Sequence, residues 1–167
     1  MIFWTTLSNL PLGTLLVVEE DGTLIRVKYL DFEPSEDFVR SLLGKTDNEM
    51  YHQHTPFLNR TEAELREYFA GEREEFTIPY RYSGTSFQQR VWDSIASIPF
   101  GETLTYGDIA HHIDHPNASR AIGNACGRNP LPIIVPCHRV TGANGSLGGY
   151  SSGLEKKRFL LRLEEVS

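Results

Sequence analysis

Between Ile2 and Leu30 apolar residues come in short runs separated by turn residues. Leu12-Gly13 opens a run through Val17-Val18, Glu20-Asp21-Gly22 supplies a tight turn, and Leu24-Ile25-Arg26-Val27 returns. That pattern predicts an antiparallel hairpin or meander. From Glu36 to Leu43 the spacing changes, with Phe38, Val39, Leu42 and Leu43 on one helical face and Gly44 as the stop. A loop is expected to about Thr55. Thr61 with Glu64 three residues on reads as a capping box, opening a helix with Leu65 and Phe69 on one face and Gly71 as terminator. Phe76-Thr77-Ile78 is expected to add a last short strand. Nothing in residues 1–80 concentrates chemistry, so this half reads as scaffold.

Composition changes near Arg81-Tyr82-Ser83-Gly84, which sets the expected domains at 1–80 and 81–167. Beyond it the apolar period is helical. Ser86 with Gln89 predicts a capped helix burying Phe87, Val91, Trp92, Ile95 and Ile98 before Pro99. Thr105 with Asp108 starts a short helix with Ile109, Ala110 and Ile113 inward, broken by Asp114-His115-Pro116-Asn117. Asn117 is expected to cap a second helix whose Ala118, Ala121, Ile122, Ala125 and Cys126 form a stripe. Two short helices around a polar break read as a helix-turn-helix. The second helix leaves Ser119, Arg120, Gly123, Asn124 and Arg128 on its outer face, small, polar and basic. Such a face suits a nucleic-acid groove, and equally serves helix pairs that never meet DNA. The fold class is therefore α/β in the α+β sense: a small N-terminal antiparallel sheet with helices, then a mostly helical C-terminal domain.

Charge sharpens this division. The 167 residues carry a net charge of −6. The 7 basic and 15 acidic residues through Tyr80 give −8, whereas the 9 basic and 7 acidic residues from Arg81 onward give +2. A phosphate-facing patch is thus possible in the second half alone. No apolar run approaches bilayer length, and Met-Ile-Phe-Trp-Thr-Thr lacks the regions of a secretion signal. A soluble, cytoplasmic protein with no membrane partner is expected. Two cysteines, Cys126 and Cys137, suit a reducing compartment. His52 and His54 have no cysteine nearby and read as solvated residues, so no metal site is expected.

Candidate chemistry concentrates in Leu131-Pro-Ile-Ile-Val-Pro-Cys-His-Arg-Val140. An apolar run delivers the Cys137 thiol beside an imidazole and a guanidinium, a setting that lowers a cysteine pKa and favours a nucleophile. The alternative is a buried space-filler, since free cysteine is among the most buried residue types. Cys126, on the helical stripe, reads as packing. Thr141 to Gly149 is glycine-rich but lacks the lysine and serine of a P-loop, so it suits a mobile loop over a pocket. The last helix, Leu154 to Glu165, sets a carboxylate against Leu160 and Leu161, where it needs a partner such as His138. Periodicity does not choose between Glu164 and Glu165.

Taken together, Phe87-Gln88-Gln89-Arg90-Val91-Trp92, Ile98-Pro99-Phe100-Gly101, Tyr106, Arg120-Ala121-Ile122-Gly123, Asn129-Pro130, Pro136-Cys137-His138-Arg139-Val140, Tyr150-Ser151-Ser152-Gly153 and Leu160-Leu161-Arg162-Leu163-Glu164 resemble, in order, the O6-alkylguanine-DNA alkyltransferases. The resemblance covers about residues 85 to 164. It implies minor-groove binding of double-stranded DNA, extrusion of an O6-alkylguanine, and transfer of the alkyl group to Cys137. His138 would take the thiol proton through a water and be held by Glu164, which the resemblance selects over Glu165. Tyr106 would assist proton delivery as guanine leaves. Substrate contacts fall to Val140, Ser151, Tyr150, Asn129 and Gly148, with Asn129 also tying the recognition helix to the reactive loop. DNA contacts fall to Arg120, Ala121, Gly123, Asn124 and Ser119, Arg120 filling the gap left by the flipped nucleotide. No cofactor is implied, and the N-terminal cysteines that bind zinc in some members are missing. A monomer that acts once per molecule is expected. The readings set against this are a lesion-binding relative without the cysteine, a cysteine hydrolase using Cys137, His138 and Glu164, and a transcription factor with an inert Cys137.

Overall fold

The alternating segment becomes three strands, β1 (Ile2–Leu10), β2 (Gly13–Glu20) and β3 (Thr23–Leu30), in the computed structural model, which describes residues 1–44 and 46–165. The chain divides into two compact units, Met1–Tyr82 and Ser83–Ser167. In the first, β1 pairs antiparallel with β2 and β2 with β3. The strand order is β3-β2-β1-β4, because a short strand β4 (Met50–His52) adds to β1 in parallel. This strand lies where a loop was expected; three residues are too few to carry an alternation. Phe76 to Ile78, by contrast, forms no strand. Only Tyr80 bridges to Leu24, and Pro79, with no N–H to give, accepts from the Leu24 amide instead.

One sheet face buries Ile2, Trp4, Leu16 and Val18 with Val39 of helix α1 (Glu36–Leu42). Alternate residues Leu7, Leu15 and Val17 are buried on the other face. Helix α2 (Pro56–Phe69) packs against β1 and β2. It begins five residues before the expected capping box: Thr55 is the N-cap, accepting from Leu58 N at 3.1 Å, and Pro56 occupies the first turn. Thr61 sits inside the helix with its hydroxyl on Phe57 O, and Glu64 accepts from the Thr77 amide at 2.7 Å. His52 stacks on Trp4 at 4.0 Å and His54 bonds Thr5 at 3.0 Å; both are exposed.

In the second unit helix α3 (Ser86–Ala96) starts from a Thr85–Gln88 capping box, one residue before the expected pair, while Gln89 Nε2 donates to Gly84 O at 2.9 Å. Trp92 Nε1 donates to Ala125 O at 2.9 Å. This bond ties α3 to helix α5 (Ser119–Gly127). Strand β5 (Leu104–Thr105) pairs in parallel with β6 (Val140–Thr141), bringing the sequence after the reactive stretch beside helix α4 (Tyr106–His112). Thr105 caps α4 reciprocally with Asp108, as the spacing predicts. Asp114, at φ 60°, turns the chain between α4 and α5, a conformation aspartate tolerates. Asn117 does not cap α5. The N-cap position is Ala118, which has no capping side chain. Ala121 is exposed, so the buried ridge narrows to Ile122 and Ala125, enough to cover the limited contact that α3 and α4 offer. The last helix, α6, spans Leu154–Glu165. Among the described residues, no helix is long and apolar enough to cross a membrane, and no group of three or more His, Cys, Asp or Glu is placed to hold a metal ion.

Candidate active site

Every residue from Leu131 to Val140 is buried. Asn129 fastens this stretch at both ends. Its Oδ1 accepts from Leu131 N at 2.9 Å, and its Nδ2 donates to Val135 O at 2.8 Å and to Cys137 Sγ at 3.2 Å. Within the loop Ile133 is held at φ 75°, a left-handed conformation that costs a β-branched residue about 1–3 kcal/mol and persists only where packing enforces it. The loop ends in a 3₁₀ turn, Cys137–Arg139, with Arg139 N on Pro136 O at 2.9 Å.

The two residues after Cys137 turn to a carboxylate. His138 Nε2 lies 2.6 Å from Glu164 Oε2. Arg139 donates from Nε to Oε1 at 2.7 Å, from Nη2 to Oε2 at 3.0 Å and from Nη1 to Ile98 O at 2.6 Å. Glu164 is 2 % exposed and Glu165 is exposed, which resolves the choice that the helical wheel left open. A carboxylate paired with a guanidinium only accepts, so His138 carries its proton on Nε2. Its Nδ1, buried and without a hydrogen-bond partner, is left as a free base. Burial holds the His138 pKa below the ordinary histidine value despite the opposing bond and charge of Glu164, and the ring is neutral at pH 7.

The thiol does not sit in the setting that its neighbours in sequence suggest. Burial pushes Cys137 above the ordinary cysteine value, against the Asn129 hydrogen bond and the charge of Lys157. The expected imidazole and guanidinium effect fails because Glu164 engages both groups. The cation that acts on the sulfur comes from α6. Lys157 is fully buried, donates to Val140 O at 2.6 Å and Gly149 O at 2.9 Å, and has its own pKa lowered by burial. Sequence reasoning passed over Lys157, although it shares a helical stripe with Leu160 and Glu164, three and seven residues on.

Cys137 opens on a cavity of about 330 Å³ whose wall includes Tyr106, Tyr150 and Ser151. The α5 residues Gly123, Cys126 and Gly127 form part of the same wall. Cys126 is therefore half-buried in the cavity and not sealed on a packed stripe; its pKa is pushed up to about 12, chiefly by burial. The Tyr106 hydroxyl accepts from Gly149 N at 3.3 Å, and burial raises its pKa, so it remains a proton donor. Gly148, at φ 73°, lies so close that a Cβ there would stand 2.7 Å from the Tyr106 hydroxyl. Val140, Asn129 and Gly148 stand behind this wall: Val140 is buried, Asn129 grips the sulfur, and Gly148 backs Tyr106.

Comparison with known proteins gives this cavity a context. The 6-O-methylguanine DNA methyltransferase ribonuclease-like domain matches residues 2–82, and the DNA binding domain of the same name matches residues 86–166. A constitutive methylated-DNA–protein-cysteine methyltransferase of Bacillus subtilis is 44% identical over 100% of this chain and 98% of its own. The chain belongs to the 6-O-methylguanine DNA methyltransferase family. A methylated-DNA–protein-cysteine methyltransferase of Methanosarcina acetivorans is 44% identical over 92% of this chain and 93% of its own. The crystal structure of Mycobacterium tuberculosis OGT in complex with DNA superposes with a TM-score of 0.83 at 38% identity, covering 98% of this chain and 92% of that one.

In this methyltransferase α5 adjoins the cavity through Gly123, where a Cβ would lie 4.0 Å from the Tyr106 ring, an ordinary van der Waals contact. Ser119, Arg120, Ala121 and Asn124 are exposed along the same helix, and among the described residues Arg120 makes no ion pair. The helix that contributes Gly123, Cys126 and Gly127 to the cavity wall thus also carries an exposed cation one turn earlier.

Proposed function

We propose that this chain repairs double-stranded DNA by moving the alkyl group of an O6-alkylguanine onto Cys137, once per molecule. The observation that carries this reading is Cys137 opening on a cavity while the adjoining His138 keeps an unpartnered Nδ1 backed by Glu164. His138 takes the thiol proton through a water. The sulfur attacks the alkyl carbon, the C–O6 bond breaks with its electron pair going to guanine, and a proton from Tyr106 offsets the charge on the departing base. Asn129 and Lys157 stabilise the thiolate as it forms. The Tyr150–Ser151 wall holds the base edge. Arg120 fills the stack that the extruded nucleotide leaves, with Ser119, Ala121, Gly123 and Asn124 along the groove. A thioether does not hydrolyse under mild conditions, so no step restores the thiol. Nucleophile, base and proton donor are all side chains of one chain, which supports a cofactor-free monomer.

Intact-mass measurement after incubation with duplex O6-methylguanine DNA tests this. One added methyl group mapping to Cys137 is expected; an unmodified protein, or many lesions cleared per molecule, overturns it. Arg120→Ala is expected to slow transfer from duplex far more than from free O6-methylguanine, because only the duplex must be held open. Equal losses on both substrates reject that role. Gly148→Ala should slow transfer on the order of 10²-fold by pushing Tyr106 out of line; an unchanged single-turnover rate shows that Tyr106 does not need its present position.

A further inference from the structure

The mechanism uses one of two thiols. The other, Cys126, shares the cavity wall with Cys137, and these are the only cysteines of the chain. A short path of bonds joins them. Asn129 N donates to Cys126 O at 3.3 Å, while Asn129 Nδ2 donates to Cys137 Sγ at 3.2 Å. The buried Lys157 ammonium acts electrostatically on both sulfurs, as does each on the Tyr106 hydroxyl. Both thiols are free, and Cys126 is half-buried and so open to a small molecule entering the cavity.

We propose that Cys126 and Cys137 form a single dithiol site that captures a soft, thiophilic centre, of which trivalent organoarsenic is the fitting class. Burial keeps both thiols protonated, which disfavours capture that needs two ready-made thiolates. An arsonous acid, R–As(OH)₂, needs none. Its two As–O bonds break, two As–S bonds form, the two thiol protons leave with the hydroxides as two waters, and arsenic remains trivalent. No oxidant enters. The cavity has room for one aryl group, and the captured centre would occupy the sulfur that accepts alkyl groups. The site depends on Cys137 only as a thiol, so it stands or falls independently of alkyl transfer.

The test is intact-mass measurement of the full-length protein with equimolar phenylarsonous acid, without DNA. One phenylarsenic unit with loss of two protons is expected on the wild type. It should resist 2-mercaptoethanol and leave with 2,3-dimercaptopropanol, because a monothiol cannot match two tethered sulfurs. Cys126→Ser and Cys137→Ser should each shed the arsenical in 2-mercaptoethanol on the order of 10²-fold faster, the loss of the second tether. Cys126→Ala serves as a second one-thiol form, and a melting curve on each variant establishes that it is folded. Absence of an adduct on the wild type, release by 2-mercaptoethanol as fast as from Cys126→Ser, or a resistant adduct on either Cys126 variant overturns the proposal.

Discussion

Cys137→Ser is expected to reduce alkyl transfer to the uncatalysed background while leaving affinity for duplex DNA unchanged. The substitution keeps a small hydroxyl where the sulfur was, within reach of the Asn129 amide that now donates to Sγ at 3.2 Å. What it removes is ionisability. Burial already holds the Cys137 thiol above its ordinary pKa, and the neutral His138 can still take its proton because a thiol, though a weak acid, is far stronger than an alcohol. A serine hydroxyl is far weaker, and no adjoining charge apart from Lys157 favours its alkoxide. The exposed face of α5 is untouched, so binding measured by fluorescence anisotropy at fixed salt should match the wild type. Transfer persisting in the serine variant would remove Cys137 from the acceptor position. The same groups set a pH dependence. His138 has its pKa lowered, so its free Nδ1 survives below the ordinary histidine range and is lost only when pH falls through that lowered value. The single-turnover rate should therefore hold through pH 6.5 and fall on the acid side of it; a rate that halves at the ordinary histidine value contradicts a buried, neutral base.

How much of this was legible in the sequence depended on whether the deciding contact was local. The Thr105–Asp108 cap and the break at Asp114 are settled within a few residues, and the spacing predicts both. Glu164 was legible only as one of two carboxylates, because the choice rests on burial against a loop 25 residues away in sequence. The charge setting of Cys137 differs from that expected of its neighbours for a related reason: adjacency in sequence says which groups are near, and the 3₁₀ turn points His138 and Arg139 to Glu164. Neither the role of Lys157 nor the exposure of Cys126 in the cavity can be seen until α6 and α5 are packed against the loop. Ile133 in a left-handed conformation is invisible to any propensity, since a β-branched residue is the last expected there. The N-terminal errors have another source. β4 is too short to show a period, and Thr61 with Glu64 satisfies a capping pattern that Thr55 and Pro56 had already supplied.

Glu164→Ala is expected to produce the largest loss of stability of any single substitution in the C-terminal unit, about 3–5 kcal/mol. The carboxylate is the shared acceptor for two buried donors, and its removal leaves the Arg139 guanidinium, 7 % exposed in the intact protein, with the Ile98 carbonyl at 2.6 Å and the Phe100 ring at 5.8 Å as its remaining partners among the described residues. A buried cation deprived of its partner cannot shed its charge as a histidine can. At roughly 4–8 °C per kcal/mol for a domain of this size, the melting temperature should drop on the order of 20 °C. Glu164→Gln separates this structural part from the chemical one. Glutamine preserves the volume and one acceptor oxygen, so the melting temperature should fall much less. Its amide, however, must turn a donor toward either His138 or Arg139. If it faces His138, the ring is driven to place its proton on Nδ1, and the nitrogen that would receive the thiol proton is already occupied. The glutamine variant should thus be folded yet slow, with a transfer rate that raising the pH partly restores as the thiol ionises unaided. A glutamine variant as fast as wild type, or an alanine variant that melts within a few degrees of it, would mean that the carboxylate neither orients the imidazole nor holds the loop.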